Sequence, residues 1–169
     1  MNTLSSISQR NQNGYILITT LVLMIMLTAM ALTQISMNSS QTRVATNATD
    51  LEQSFEKTEG AMNEAINRIL NSTYTTANFL QNNNGLYVFN TTDTTPLWKT
   101  IDWSSSAAVI KSFQGASGNQ ASYIIEQLPS VIQPGQNMKT PTYVYRITAR
   151  TVGASGNTAI MLQTTMESQ

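Results

Sequence analysis

The sequence predicts an α+β protein in which a long N-terminal helix lies against a small antiparallel β-sheet. Three observations carry that prediction. The run from Tyr15 to Met37 is uncharged, free of glycine and proline, and long enough to cross a membrane. Apolar residues then recur at spacings of three and four as far as Ile69. In the C-terminal third, alternating apolar positions and turn residues mark three strands.

The apolar run is bounded by Arg10 before it and Arg43 after it. At about 1.5 Å of rise per residue, such a helix spans a hydrocarbon core about 30 Å thick. The core helix of a soluble domain is rarely so evenly apolar, so Tyr15 to Met37 reads as membrane lipid-facing helix. After Met37 the pattern becomes amphipathic. Leu51, Phe55, Thr58, Met62, Ile66 and Ile69 share a face and are expected to pack on a globular head. Glu52, Glu56, Lys57, Glu59, Glu64 and Arg68 fall on the remaining surface, with Glu64 and Arg68 in the favourable acid-first spacing. The carboxylates from Asp50 to Glu59 read as a solvated face. Between the halves, Asn38 to Thr49 is rich in mediocre helix formers yet holds no breaker. One helix from Tyr15 to about Leu70 would be on the order of 80 Å long.

The head follows. Asn82-Asn83-Asn84-Gly85 is a turn, Leu86 to Phe89 a short strand, and Ser104 to Lys111 a candidate helical turn. Trp98 and Trp103 read as packing residues rather than a binding patch. Gln114 to Asn119 is another turn, and Ser122 to Leu128 a strand stopped by Pro129. Tyr143 to Val152 places Tyr143, Tyr145, Ile147 and Ala149 on one face and Arg146, Thr148 and Arg150 on the other. Thr158 to Met166 is its hairpin partner across Gly153-Ala154-Ser155-Gly156-Asn157. The loop Val131 to Pro141 is expected to carry variable surface. The chain thus divides into residues 1–14, a transmembrane half at 15–37, an amphipathic half at 38–70, and a head with a C-terminal sheet at 71–169.

Composition limits the chemistry. The 169 residues include nine basic and nine acidic side chains, so no electrostatic pull on nucleic acid is expected. There is no cysteine, hence no disulfide, and no histidine, the commonest general base and metal ligand. No phosphate loop or metal cluster is visible, and Asp93 to Asp102 holds too few acids for a calcium loop. An enzyme is not expected, nor a cofactor. Asn-x-Ser/Thr triplets begin at Asn38, Asn47, Asn71 and Asn90, as chance predicts in so Asn- and Thr-rich a chain.

Residues 1–14 are polar, carry Arg10, and end in Gly14 directly against the apolar run. A secretory signal would need its cut at Ala29-Met30-Ala31, inside that run. A polar leader, glycine, an aromatic residue and an uncharged helix instead resemble the class III leader of type IV pilins. That resemblance implies cleavage after Gly14 by a prepilin peptidase and N-methylation of Tyr15. Asn13 stands where the family usually has a basic residue. Tyr143 to Arg150, the glycine-bearing turn, and Ile160 to Thr165 resemble the closing hairpin of PilX-type minor pilins, and Tyr123 to Pro129 the strand before it. The resemblance implies a lollipop-shaped pilin fold. It also implies an inner-membrane location, cytoplasmic N-terminus and periplasmic head, and partners among other minor pilins, the major pilin, a tip adhesin and the inner-membrane assembly platform.

Counted from Tyr15, the fifth residue is Thr19, where major pilins usually carry a glutamate. An unpaired acid in a membrane helix costs roughly 3 kcal/mol. A subunit with none ahead of it can omit that acid, so the resemblance implies a minor pilin that initiates or caps the filament at its tip. Two alternatives stand beside it. One is a tip pseudopilin of a type II secretion system, although 169 residues leave no room for the large extra domain such proteins carry. The other is a single-pass membrane-anchored binding protein with no filament role.

Overall fold

A computed structural model describes residues 13–112, 120–132, 134–135, 141–156 and 158–168. Residues 1–12 of the expected leader at 1–14, the turn at 114–119 and much of the loop at 131–141 lie outside the described residues. Helix α1 runs from Asn13 to Leu70 without interruption, 58 residues. By contact density the chain forms two units, residues 1–46 and 47–169.

The first unit is helical throughout its described part, and none of its apolar span is buried. It is long and apolar enough to cross a membrane. Its threonines need no outside partner. The hydroxyls of Thr19, Thr28 and Thr33 donate to the carbonyls four residues back, at 2.9, 2.7 and 2.9 Å. Each of these hydroxyls is thereby satisfied inside the helix, as an apolar solvent demands.

The second unit begins with the rest of α1 and continues through α2 (Thr76–Leu80), β1 (Leu86–Val88), α3 (Leu97–Thr100), β2 (Ile110–Lys111), β3 (Ser122–Val131), β4 (Thr142–Val152) and β5 (Ala159–Ser168). Strands β3, β4 and β5 form an antiparallel meander. The sheet is mixed rather than wholly antiparallel, because β1 pairs parallel with β3. Strand β2 shares that edge of β3, antiparallel, so β1 and β2 sit end to end along it. Gly85 makes the junction possible. Its φ is +78°, and a Cβ there would lie 2.6 Å from Ile110 Cγ1 and 2.7 Å from the Ile110 nitrogen. Pro129 does not end β3. A register shift between Leu128 and Val131 lets the strand resume, the kind of irregularity where proline is tolerated.

Ala61, Ala65 and Ile69 of α1 pack on Tyr123 and Ile125 of β3 and on Tyr145, Ile147 and Ala149 of β4, with Phe79 of α2 closing one end. Thr58 and Ile69 of the expected stripe are buried, but toward its N-terminal end the helix meets the sheet on a different line. Its buried positions are Asp50, Ser54, Thr58, Ala61, Ala65 and Ile69, whereas Leu51 and Phe55 are 52% and 47% exposed. At 3.6 residues per turn this line lies about a quarter turn from the Leu51–Phe55 line. Small side chains win the contact because the backbone can approach the sheet closely, which the bulkier stripe would prevent. Met62 and Ile66 lie on the flank, half-buried against the core.

The opposite face of the sheet is covered by the segment between β1 and β2. Arg146 lies under the Phe89 ring at 5.1 Å and Arg150 under Trp103 at 5.8 Å. The two tryptophans support each other: Trp103 Nε1 donates to the Trp98 carbonyl at 3.0 Å, and both are half-buried. The expected helical turn at 104–111 is instead a run of turns ending in β2, and the threonine- and asparagine-rich residues 71–84 hold the short helix α2.

Candidate functional site

Two regions bear on function, the N-terminal end of α1 and the surfaces that hold the head to it. At the N-terminal end, Gly14 and Tyr15 are exposed, and a Cβ on Gly14 would meet nothing within 4 Å. Backbone at that position is open to approach. Thr19 is half-exposed and its hydroxyl donates to the carbonyls of Tyr15 at 2.9 Å and Ile16 at 3.0 Å. It therefore presents no charge and no free donor to a neighbouring chain.

Two polar clusters bind helix to head. Asp50 accepts the Ala154 N–H at 2.8 Å and the Ser155 hydroxyl at 2.6 Å, both in the β4–β5 turn. These bonds, the Ser155 hydroxyl first, hold the Asp50 carboxyl below its usual range. A Cβ at the buried Gly153 would collide with the same carboxylate, 2.8 Å from its Cγ, so glycine is what lets the turn close over Asp50. Farther along, Glu64 accepts from Ser112 Oγ at 2.9 Å and from the Tyr123 hydroxyl at 3.3 Å, and pairs with Arg68 at 2.6 Å. Arg68 in turn donates to the Tyr74 hydroxyl at 2.9 Å. Burial pushes the Tyr123 phenol well above its ordinary value, so it stays a donor. Asp50 and Glu64 are thus not solvated carboxylates. Tyr123 and the hairpin turn, distant in sequence, give them partners that spacing along the helix does not reveal.

On the other face of the sheet, Glu126 is 2% exposed and takes a bidentate pair from Arg146, with Nε at 2.9 Å and a terminal nitrogen at 2.7 Å. The two residues stand directly opposite in the β3–β4 register. Opposite charges on two strands expected to be neighbours were the available signal for this pair. Among the described residues no group of three His, Asp or Glu side chains converges as a metal site would require.

Leu51 and Phe55, expected against the head, instead share an outward surface of α1 with Glu52, Glu56 and Glu59. Ile69 is in the core, and Met62 and Ile66 flank it. What the structure offers is a helix with an uncharged N-terminal half and a head fastened to the other half by carboxylates.

Residues 71–167 match the family model of the type IV pilus assembly protein PilX C-terminal region. No curated protein and no solved structure matches the chain. Among the described residues the matched stretch holds both short helices and the strands of the head up to the last residue of β5, and it follows a helix apolar enough for membrane anchoring. A head of this family on such a helix places the chain among pilus components that serve structure and assembly: it belongs to the PilX family of type IV pilus assembly proteins.

Proposed function

We propose that the chain is a minor pilin that helps initiate or cap a type IV pilus together with other minor pilins at the tip. It waits in the inner membrane with its N-terminus cytoplasmic and its head periplasmic. A prepilin peptidase cuts after Gly14 and Tyr15 becomes the N-methylated first residue. The assembly platform then extracts it into a complex with other minor pilins, beneath a tip adhesin and above the major pilin.

The observation that carries the reading is Thr19. A carboxylate at that depth in lipid costs roughly 3 kcal/mol unless a neighbour neutralises it. Thr19 bonds to its own helix instead, and a subunit so built requires no subunit ahead of it. Packing of the uncharged run against like helices replaces lipid contacts with protein contacts at little electrostatic cost.

The test is the intact mass and N-terminal residue of the protein recovered from membranes, with filament counts in a strain lacking it. The expected result is a chain beginning at N-methylated Tyr15 and a sharp fall in pili per cell. A start at Leu32 marks a secretory signal and refutes the reading. An intact Met1 refutes it in favour of a plain membrane-anchored binding protein.

A further inference from the structure

Nine cations and nine acids cancel over the whole chain, yet they do not all find each other within it. Arg150 is half-buried and its guanidinium stacks on Trp103, but among the described residues it has no hydrogen-bond or ion-pair partner. It lines a cleft of about 410 Å³ with Trp103, Lys111, Gln120, Ser122 and Gly153, and no acid lines that cleft. Lys111 reaches only neutral oxygens, the Trp103 carbonyl at 3.2 Å and Ser122 Oγ at 3.1 Å. Asp102 accepts instead from Ser104, from its backbone N–H at 2.9 Å and its hydroxyl at 2.6 Å. A planar fork with five donors, an ammonium beside it and an aromatic wall make a receptor for a carboxylate on an apolar stem.

The complementary surface is on the same chain. Glu52, Glu56 and Glu59 are exposed, and none has an ion-pair partner among the described residues. At about 100° per residue they fall within an arc of about 60°, on the side of α1 opposite Ser54, Thr58, Ala61 and Ala65. The face that meets the head and the face that carries free acid are therefore back to back. Phe55, 47% exposed, lies beside that acidic row and offers the apolar contact that the Trp103 wall lacks.

We infer that the Arg150–Lys111–Trp103 cleft is the docking site for the acidic face of α1, Glu52, Glu56 and Glu59, on a second copy of this chain. The two patches differ, so the contact is head-to-tail. Such a contact leaves one free patch of each kind, and at a filament tip it ends at the copy that has no subunit ahead of it. This rests on the reading of the chain as a filament subunit and adds to it a contact between copies. Its failure leaves that reading to the N-terminal test above.

The experiment is sedimentation equilibrium of the full chain in non-ionic detergent, with charge reversals on the two patches. Arg150→Glu is expected to weaken self-association about tenfold, as is the triple change Glu52→Lys, Glu56→Lys and Glu59→Lys. The combination of both is expected to restore it to within about threefold of the unmodified chain. Arg150→Gln, which removes the charge without reversing it and so guards against a folding defect in Arg150→Glu, is expected to weaken association about threefold. In the unmodified chain, association is expected to fall several-fold between about 0.05 and about 0.5 M salt. Self-association that ignores salt and both single reversals, a combined variant no tighter than either parent, or a chain that stays monomeric overturns the proposal.

Discussion

Removing Arg146 tests the assignment of Glu126 as a buried, paired carboxylate. Glu126 is 2% exposed and both its oxygens are taken by Arg146, at 2.9 and 2.7 Å. Arg146→Met keeps a long apolar side chain beneath Phe89 but leaves that carboxylate without a counter-charge. Breaking a buried pair from one side costs about 3–5 kcal/mol. The Arg146 side chain is 21% exposed, so water reaches the pair from that side and the lower end applies. A domain the size of the head loses about 4 °C of melting temperature per kcal/mol, so the expected drop is about 12 °C. Glu126→Leu with Arg146→Met removes both charges, and an apolar pair of similar volume is often neutral or better. The double variant is therefore expected within about 3 °C of the unmodified chain. The assay is thermal unfolding of the head by circular dichroism in detergent micelles, as a double-mutant cycle. A single variant that melts within 3 °C of the parent, or a double variant that falls by the sum of the singles, refutes the reasoning.

Four further outcomes follow from particular contacts. Gly85→Ala is expected to cost about 2–3 kcal/mol by denaturant unfolding, since the added Cβ meets Ile110 at 2.6 Å in a left-handed backbone. Ala65→Leu should destabilise the head by about 1–3 kcal/mol through overpacking, while Phe55→Ala, on an exposed position, should change it by under about 1 kcal/mol. Thr151 is 1% exposed and its hydroxyl finds no partner among the described residues, so Thr151→Val is expected to raise the melting temperature, by about 1 kcal/mol of stability. The Asp50 carboxyl is held below its ordinary 3.8. Its contribution is thus complete above that pH and lost as pH falls through the lowered value. In acid titrations of stability, Asp50→Asn should be less stable than the parent at neutral pH, with the gap closing below pH 3.8.

The long helix and the C-terminal strands were readable because each has a local physical cause, whereas the short elements α2, α3 and β2 were not. An uncharged helix from Tyr15 to Met37 follows from composition alone, and the absence of proline and of glycine before Gly60 carries it onward. Alternation in Tyr143 to Ala149 and in Ile160 to Met166, with a glycine-bearing turn between, specifies a hairpin before any tertiary contact forms. The places of Gly14, Tyr15 and Thr19 at the start of the apolar run are properties of the chain itself, whereas the roles proposed for them rest on the resemblance and await the N-terminal test.

What only the tertiary structure decided is which side of α1 turns inward. Hydrophobicity favoured Leu51 and Phe55 beside Thr58, yet around Thr58 the helix buries Asp50, Ser54, Ala61 and Ala65. A carboxylate is buried only where donors meet it, and the donors for Asp50 are 104 and 105 residues away, in the β4–β5 turn. The parallel pairing of β1 with β3 and the seating of Trp103 over Arg150 are equally non-local. Periodicity reports what each residue prefers to bury; it carries no information about the backbone spacing and hydrogen-bond partners that a distant strand supplies, and those chose the face.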